Sequence, residues 1–266
     1  MLLNAGLGFA IGVILALTGA GGGILAVPVL MFGAGLSASQ AGPIGLMAVG
    51  MAAALGALLG LRAGIVRYKA SLLIAASGMV MAPPGLWLAH HSDNRWLTLL
   101  FAAVLLYVAL RMLRQSRRSA APEASPLQKN PPCIRNTETG KIIWTTPCAR
   151  ALGLSGAIAG FLSGLLGVGG GFVMVPALQR YTDLAMQSVV ATSLAVIALV
   201  SATGVASSAL AGQLDWTVAL PFSGGALIGM LGGRMLSARL SGPRLQQGFG
   251  AVAGLVAIGM VVKAVL

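Results

Sequence analysis

Charge is what this chain has least of. Of its 266 residues only 8% are charged, with 5 acidic residues against 17 lysines and arginines, while 57% are hydrophobic. A soluble domain carries about 25% charged residues, so this chain cannot cover a surface that faces water. Histidine and cysteine are equally scarce, at 2 each. Cys133 and Cys148 lack the paired spacing of a zinc site and are expected to be ordinary free thiols. No carboxylate falls inside an apolar run: Asp93, Asp183 and Asp215 all lie at run ends or in loops. That speaks against a cation exchanger or a carboxylate proton relay, which would need one at membrane depth. Any proton acting as coupling ion would ride on the substrate or use a residue at the edge of a span. No His/Asp/Glu cluster and no convincing Ser–base pair is present, so no catalytic residue, metal or cofactor is expected.

Apolar length is what the chain does have. Runs over 41–61, 70–89, 96–110, 188–210, 216–236 and 245–262 approach or exceed the roughly 20 residues that cross a bilayer as a helix. Strand alternation is absent. The expected fold is an all-α integral membrane protein of about eight transmembrane segments, with the lipid bilayer as its surroundings. The net charge of +12 does not point to nucleic acid, because lysines and arginines in loops fix orientation. The N-terminus lacks the basic flank of a cleaved signal peptide and is expected to be retained.

Shifted by 148 residues, the chain overlays itself without a gap. "GAGGGILAVPVL" at 19–30 meets "GVGGGFVMVPAL" at 167–178, identical at seven of twelve positions. Gly56 then meets Gly204, Gly64 meets Gly212, and Phe101 meets Phe249. This register predicts two homologous repeats, 1–114 and 150–266, joined by a polar linker over 115–149. Eight basic residues between Arg111 and Arg150 face only Glu123 and Glu138, which places the linker in the cytoplasm by the positive-inside rule. Bringing Arg62, Arg67 and Lys69 to that side along with Arg180, Arg239 and Arg244, and Asp215 to the other, inverts the second repeat relative to the first. Parallel repeats of four spans each are the rival topology.

Glycine and proline cost a helix interior roughly 1 and 3 kcal/mol, so the duplicated blocks need a reason. Each would let a helix break and turn back, with one arm of about 17 residues and another of about ten. Irregular backbone at membrane depth is tolerated only where it is buried or lines a cavity, and matched interruptions in two halves point to a transporter's substrate site. Broken-helix N–H groups carry positive partial charge and can hold an anion. Gly21, Gly22, Gly23, Gly169, Gly170 and Gly171 would let it approach the backbone. Thr18, Ser163, Gln40, Gln187, Ser188, Thr192 and Ser193 could add neutral donors, with Thr192 and Ser193 favoured by their closeness to the second block. The bland alternative is close helix packing through small residues, and Gly8–Gly12 and Gly156–Gly160 are expected to do only that.

The pattern G-x-G-G-G-x-x-x-V-P in both halves, "VVATSLAV" at 189–196, "GQLDWTVAL" at 212–220 and "GGALIGMLGGRML" at 224–236 resemble the sulfite exporter TauE/SafE family. The resemblance implies transport of small sulfur-containing anions, sulfite or organosulfonates, across a bacterial inner membrane. The first half departs from the pattern, with Pro43, Ile44 and Gly45 where the second has Ala191, Thr192 and Ser193. A different small oxyanion, or a non-transporting scaffold or assembly factor, are the other readings. Assembly into a homo-oligomer is compatible with the sequence.

Overall fold

The computed structural model describes residues 2–18, 22–119, 133, 145–237 and 243–265. Among these residues the chain is all-helical, with ten α-helices: α1 (Leu2–Thr18), α2 (Ala26–Gly33), α3 (Ala38–Arg62), α4 (Tyr68–His91), α5 (Asn94–Ser119), α6 (Thr146–Leu166), α7 (Gly171–Tyr181), α8 (Met186–Leu210), α9 (Trp216–Ser237) and α10 (Pro243–Val265). A short 3-10 helix, Gly22–Leu25, leads into α2. Polar caps set several starts. Ser37 and Gln40 form a reciprocal capping box on α3, Thr145 accepts from the Cys148 N–H to open α6, and Asp215 accepts from the Thr217 N–H to open α9. The Thr217 hydroxyl and N–H also hold the Asp215 carboxyl below the usual carboxylate range.

Among the described residues, six helices are long and apolar enough to cross a membrane, where about eight segments were expected. Those six are α3, α4, α5, α6, α8 and α9. Three shorter apolar helical stretches, Leu2–Leu17, Gly23–Gly33 and Gly250–Val262, stand beside them among the described residues. The outer faces are greasy, with Trp87, Tyr107, Ile228 and Leu255 all exposed, as a lipid-facing surface requires.

Glycine lets the helices touch backbone to backbone. Gly8 and Gly12 of α1 press on Phe222 and Ala226 of α9, and Gly156 and Gly160 of α6 press on Ile74 and Gly78 of α4. Lipid gives apolar helices no reason of its own to associate, so such close small-residue approach supplies the attraction. These contacts also fix direction. α1 runs parallel to α9, and α6 runs parallel to α4. α3 and α8 run antiparallel, since Gly50 meets Ser201 and Gly60 meets Ala191. The turn between α3 and α4, the end of α5 and the start of α6 therefore share one face, called here the linker face.

Cys133 and Cys148 are joined by a disulfide, with a Cα–Cα distance of 4.9 Å, and this corrects the free-thiol expectation. Cys133 donates its N–H to the Tyr181 carbonyl at 3.1 Å and forms a parallel bridge with Thr182. That lays the linker residue over the end of α7, beside the first turn of α6 where Cys148 sits. Sequence spacing carried no sign of this pairing, because it depends on α7 folding back along α6. The rest of the linker is described only at its edges. α5 runs on to Ser119 and α6 begins at Thr146, inside the 115–149 stretch.

Candidate anion site at two broken helices

The second glycine block is a sharp reversal. α6 ends at Leu166, and Gly167 takes φ 69 and ψ 29 with its N–H on the Ser163 carbonyl. Gly169 follows at φ 77. An L side chain in this left-handed region costs roughly 1–2 kcal/mol per residue. A Cβ on Gly167 would also lie 2.7 Å from the carbonyl oxygen of Gly42 in α3. At Gly170 the chain already runs back beside α6, where a Cβ would stand 2.6 Å from the Ala159 carbonyl oxygen. α7 then starts at Gly171.

That start is unusual for a buried helix. Residues 163–171 are all buried, and the N-cap Gly170 offers no side-chain acceptor. The Val173 and Met174 N–H groups both turn to the Gly170 carbonyl. The N–H groups of Gly171 and Phe172 point ahead of the helix, where no carbonyl of α7 can reach them. The result is a buried, uncapped, positively polarised helix end, which suits an anion.

The first block comes to meet it. α1 stops at Thr18, and the chain resumes in the 3-10 turn at Gly22. Gly33, at the end of α2, comes back against Leu7 of α1, with only 2.5 Å between its Cβ position and the Leu7 Cδ1. This segment is also a hairpin. At its tip the Cβ position of Gly23 is 3.0 Å from the Val168 carbonyl oxygen and 3.0 Å from Val49 Cγ1. Both reversals thus meet beside Val49, midway along α3. Neither block is continuous α-helix where described, although Gly22 and Gly23 form a 3-10 turn and not open chain.

Of the candidate residues, Gly23, Gly169, Gly170 and Gly171 come together at this crossing, and Gly22 stands next to it. Gly21 and the side chain of Thr18 lie outside the described residues, as does Arg239. Gln40 is exposed and held in the α3 cap, its Oε1 accepting from the Ser37 N–H at 3.1 Å. It stands about 13 Å along α3 from Val49. There it lines a cleft of 370 Å³ with Leu36, Ser39, Ile44, Gln213 and Asp215, on the face opposite the linker. Thr192 is buried, but its Oγ1 accepts from the Arg67 N–H at 3.1 Å. Ser193 donates to the Val190 carbonyl at 2.8 Å. Thr192 therefore ties α8 to the turn that precedes α4, and both hydroxyls are engaged in the fold.

Two other serines stand out. Ser163 and Ser201 are buried with hydroxyls that meet no partner. Ser163 was among the possible donors, but Ser201 escaped sequence reasoning. A signal was there to be read: at the 148-residue offset its counterpart is Ala53, and the counterpart of Ser163 is Leu15. A hydroxyl in one copy of a repeat, where the other keeps an apolar group, asks for an explanation.

Two hairpins thus meet inside a bundle of apolar helices. The profile of the family described as "Sulfite exporter TauE/SafE" matches residues 4–260. The chain belongs to the sulfite exporter TauE/SafE family. It is 30% identical over 262 residues to a "Probable membrane transporter protein" of Xylella fastidiosa (strain 9a5c), covering 97% of this chain and 94% of that one. It is 27% identical over 234 residues to "Probable membrane transporter protein YunE" of Bacillus subtilis (strain 168), covering 84% and 83%. No solved structure matches it. As a TauE/SafE family member the chain is a multi-pass membrane transporter and not an enzyme. Among its described residues no group of three or more His, Cys, Asp or Glu could hold a metal ion.

Proposed function

We propose that the two broken helices hold one small sulfur-containing oxyanion, sulfite or an organosulfonate, and carry it across the membrane. The observation that carries this reading is the buried, uncapped start of α7 meeting the first reversal at Gly23 and Val168. Physics takes the argument as far as an oxyanion; family membership narrows it to sulfur compounds. A scaffold has no evident use for such a crossing. No carboxylate lies inside an apolar run to repel the anion. The cleft beside Gln40 offers a way in from the face opposite the linker. Arg67, whose Nε is buried and unpartnered, stands at the linker-face turn, where an anion would leave.

Two repeats of opposite orientation, divided by the 115–149 linker, fit the packing. Exchanging the halves turns the α1–α9 pair into the α6–α4 pair, and maps the α3–α8 and α5–α10 pairs onto themselves. Rocking one repeat against the other about a central site is the usual route to alternating access. We place the linker face in the cytoplasm of a bacterial inner membrane, because Arg62, Lys69, Arg114, Arg150 and Arg180 all lie on it. The Cys133–Cys148 disulfide is on that face too, where a reducing cytosol would open it.

Two preparations test these points. Proteoliposomes should accumulate labelled sulfite and sulfoacetate, and comparison with and without a pH gradient reads the coupling. If no anion moves, the scaffold reading takes over. In intact cells an impermeant maleimide should leave an Arg150→Cys variant unlabelled, Arg150 being exposed on the linker face where Cys133 and Cys148 are buried. Labelling from outside would move the linker, and every basic turn with it, to the opposite compartment.

A further inference from the structure

We infer that Ser201 is the side chain that grips the anion, and that Val49 and Ile197 form an apolar wall beside it which selects a lopsided oxyanion over a fully oxygenated one. This rests on the reading just given and deepens it. Ser201 is 1% exposed, and its hydroxyl has no partner. It sits on α8 against Gly50 of α3, and its Oγ lies 3.2 Å from the Cβ position of Gly169, two residues before α7 begins. A serine in a helix usually satisfies itself on a carbonyl one turn back, as Ser193 and Ser208 do here. Ser201 leaves its donor unspent beside the start of α7, whose first N–H groups no carbonyl of that helix can reach. A buried hydroxyl without a partner is costly, and a bound anion removes that cost.

The rest of the crossing is apolar. The Cβ position of Gly169 is 2.9 Å from Ile197 Cγ2 and 3.4 Å from Val49 Cγ1, and that of Gly23 is 3.0 Å from the same Val49 Cγ1. These walls meet in this conformer, so the anion takes its place when the α6–α7 hairpin withdraws from α3 and α8. Donors come only from Ser201 and the start of α7, and the wall beside Ser201 supplies none. The counterpart of Ser201 in the first half is Ala53, which offers nothing. Sulfate would have to turn an oxygen toward Val49 and Ile197, and an unpaired charged oxygen there is heavily penalised. Sulfite presents its lone pair to that wall, and methanesulfonate its methyl group. Both leave their oxygens to the donors.

The test is equilibrium binding of sulfite, methanesulfonate and sulfate to the purified full chain, with thermal unfolding of the ligand-free protein alongside. Ser201→Ala should weaken sulfite and methanesulfonate roughly tenfold to a hundredfold, the worth of a hydrogen bond to a charged group. Its ligand-free melting temperature should hold or rise, since no bond within the protein is lost. Sulfate should bind the wild type far more weakly than sulfite, and Ile197→Thr, which places a hydroxyl in the wall, should narrow that gap. Unchanged sulfite affinity in Ser201→Ala, or a melting temperature that falls with it, would give Ser201 a structural role and overturn the inference while leaving the transport reading standing. A wild type that binds sulfate as well as sulfite would remove the apolar wall. A wild type that binds none of the three overturns both.

Discussion

Gly167→Ala should reduce transport to background, although it adds a single methyl group. Two independent costs fall on that methyl. The residue sits at φ 69, where an L side chain loses roughly 1–2 kcal/mol before any contact is counted. Its Cβ would also fall 2.7 Å from backbone atoms of Gly42, and a backbone, unlike the end of a flexible side chain, has nowhere to swing. The reversal must shift, taking the start of α7 and the Gly23–Val168 contact with it. Insertion into the membrane should survive, because no span loses apolar length. Flux and membrane yield measured on the same preparation check this, and full flux at normal yield would mean the reversal is not part of the pathway.

The second large effect belongs to the scaffold. Gly160→Leu should destabilise the folded protein sharply, because its Cβ position is 2.6 Å from the Gly78 carbonyl carbon of α4. Overpacking a well-fitted interface commonly costs about 1–3 kcal/mol, and here two helix backbones must part along their length. Gly153→Leu, seven residues earlier on α6, meets nothing within 4 Å of its Cβ position and should be neutral. Thermal unfolding in detergent compares the two. Equal melting temperatures would mean that α4 and α6 do not meet as described.

The parts of this protein written in composition were legible before any coordinates. Long apolar runs allow only helices in a bilayer, since every backbone polar group must be satisfied within its own segment. The glycine blocks betrayed the breaks because nothing else explains their cost in a helix. What stayed hidden was set by partners distant in sequence. Thr192 looked like a ligand from its place near the second block, but the Arg67 N–H claims it from across the helix pair. Gln40 is spent on a cap that only the start of α3 reveals. Cys133 reaches Cys148 only because Tyr181 and Thr182 hold it in place. Ser201 lay in a run of small residues, marked only by the Ala53 at its place in the first half, and the crossing of α3, α8 and the second reversal gives it meaning.

Gly170→Val illustrates the difference between reading a motif and reading its geometry. The sequence alone suggests that a side chain there would block the anion's approach. In the structure it would strike the Ala159 carbonyl oxygen of its own hairpin, so its failure would report a broken turn and not an occupied site. The direct probe must leave the backbone as it is. Hydrogen exchange of the detergent-solubilised full chain, with and without saturating sulfite, does so. Sulfite should slow exchange at the amides of residues 169–172, with a smaller effect at Gly22–Leu25 where the first reversal meets them. Sulfite that binds while exchange there is unchanged, with protection appearing elsewhere, would contradict it.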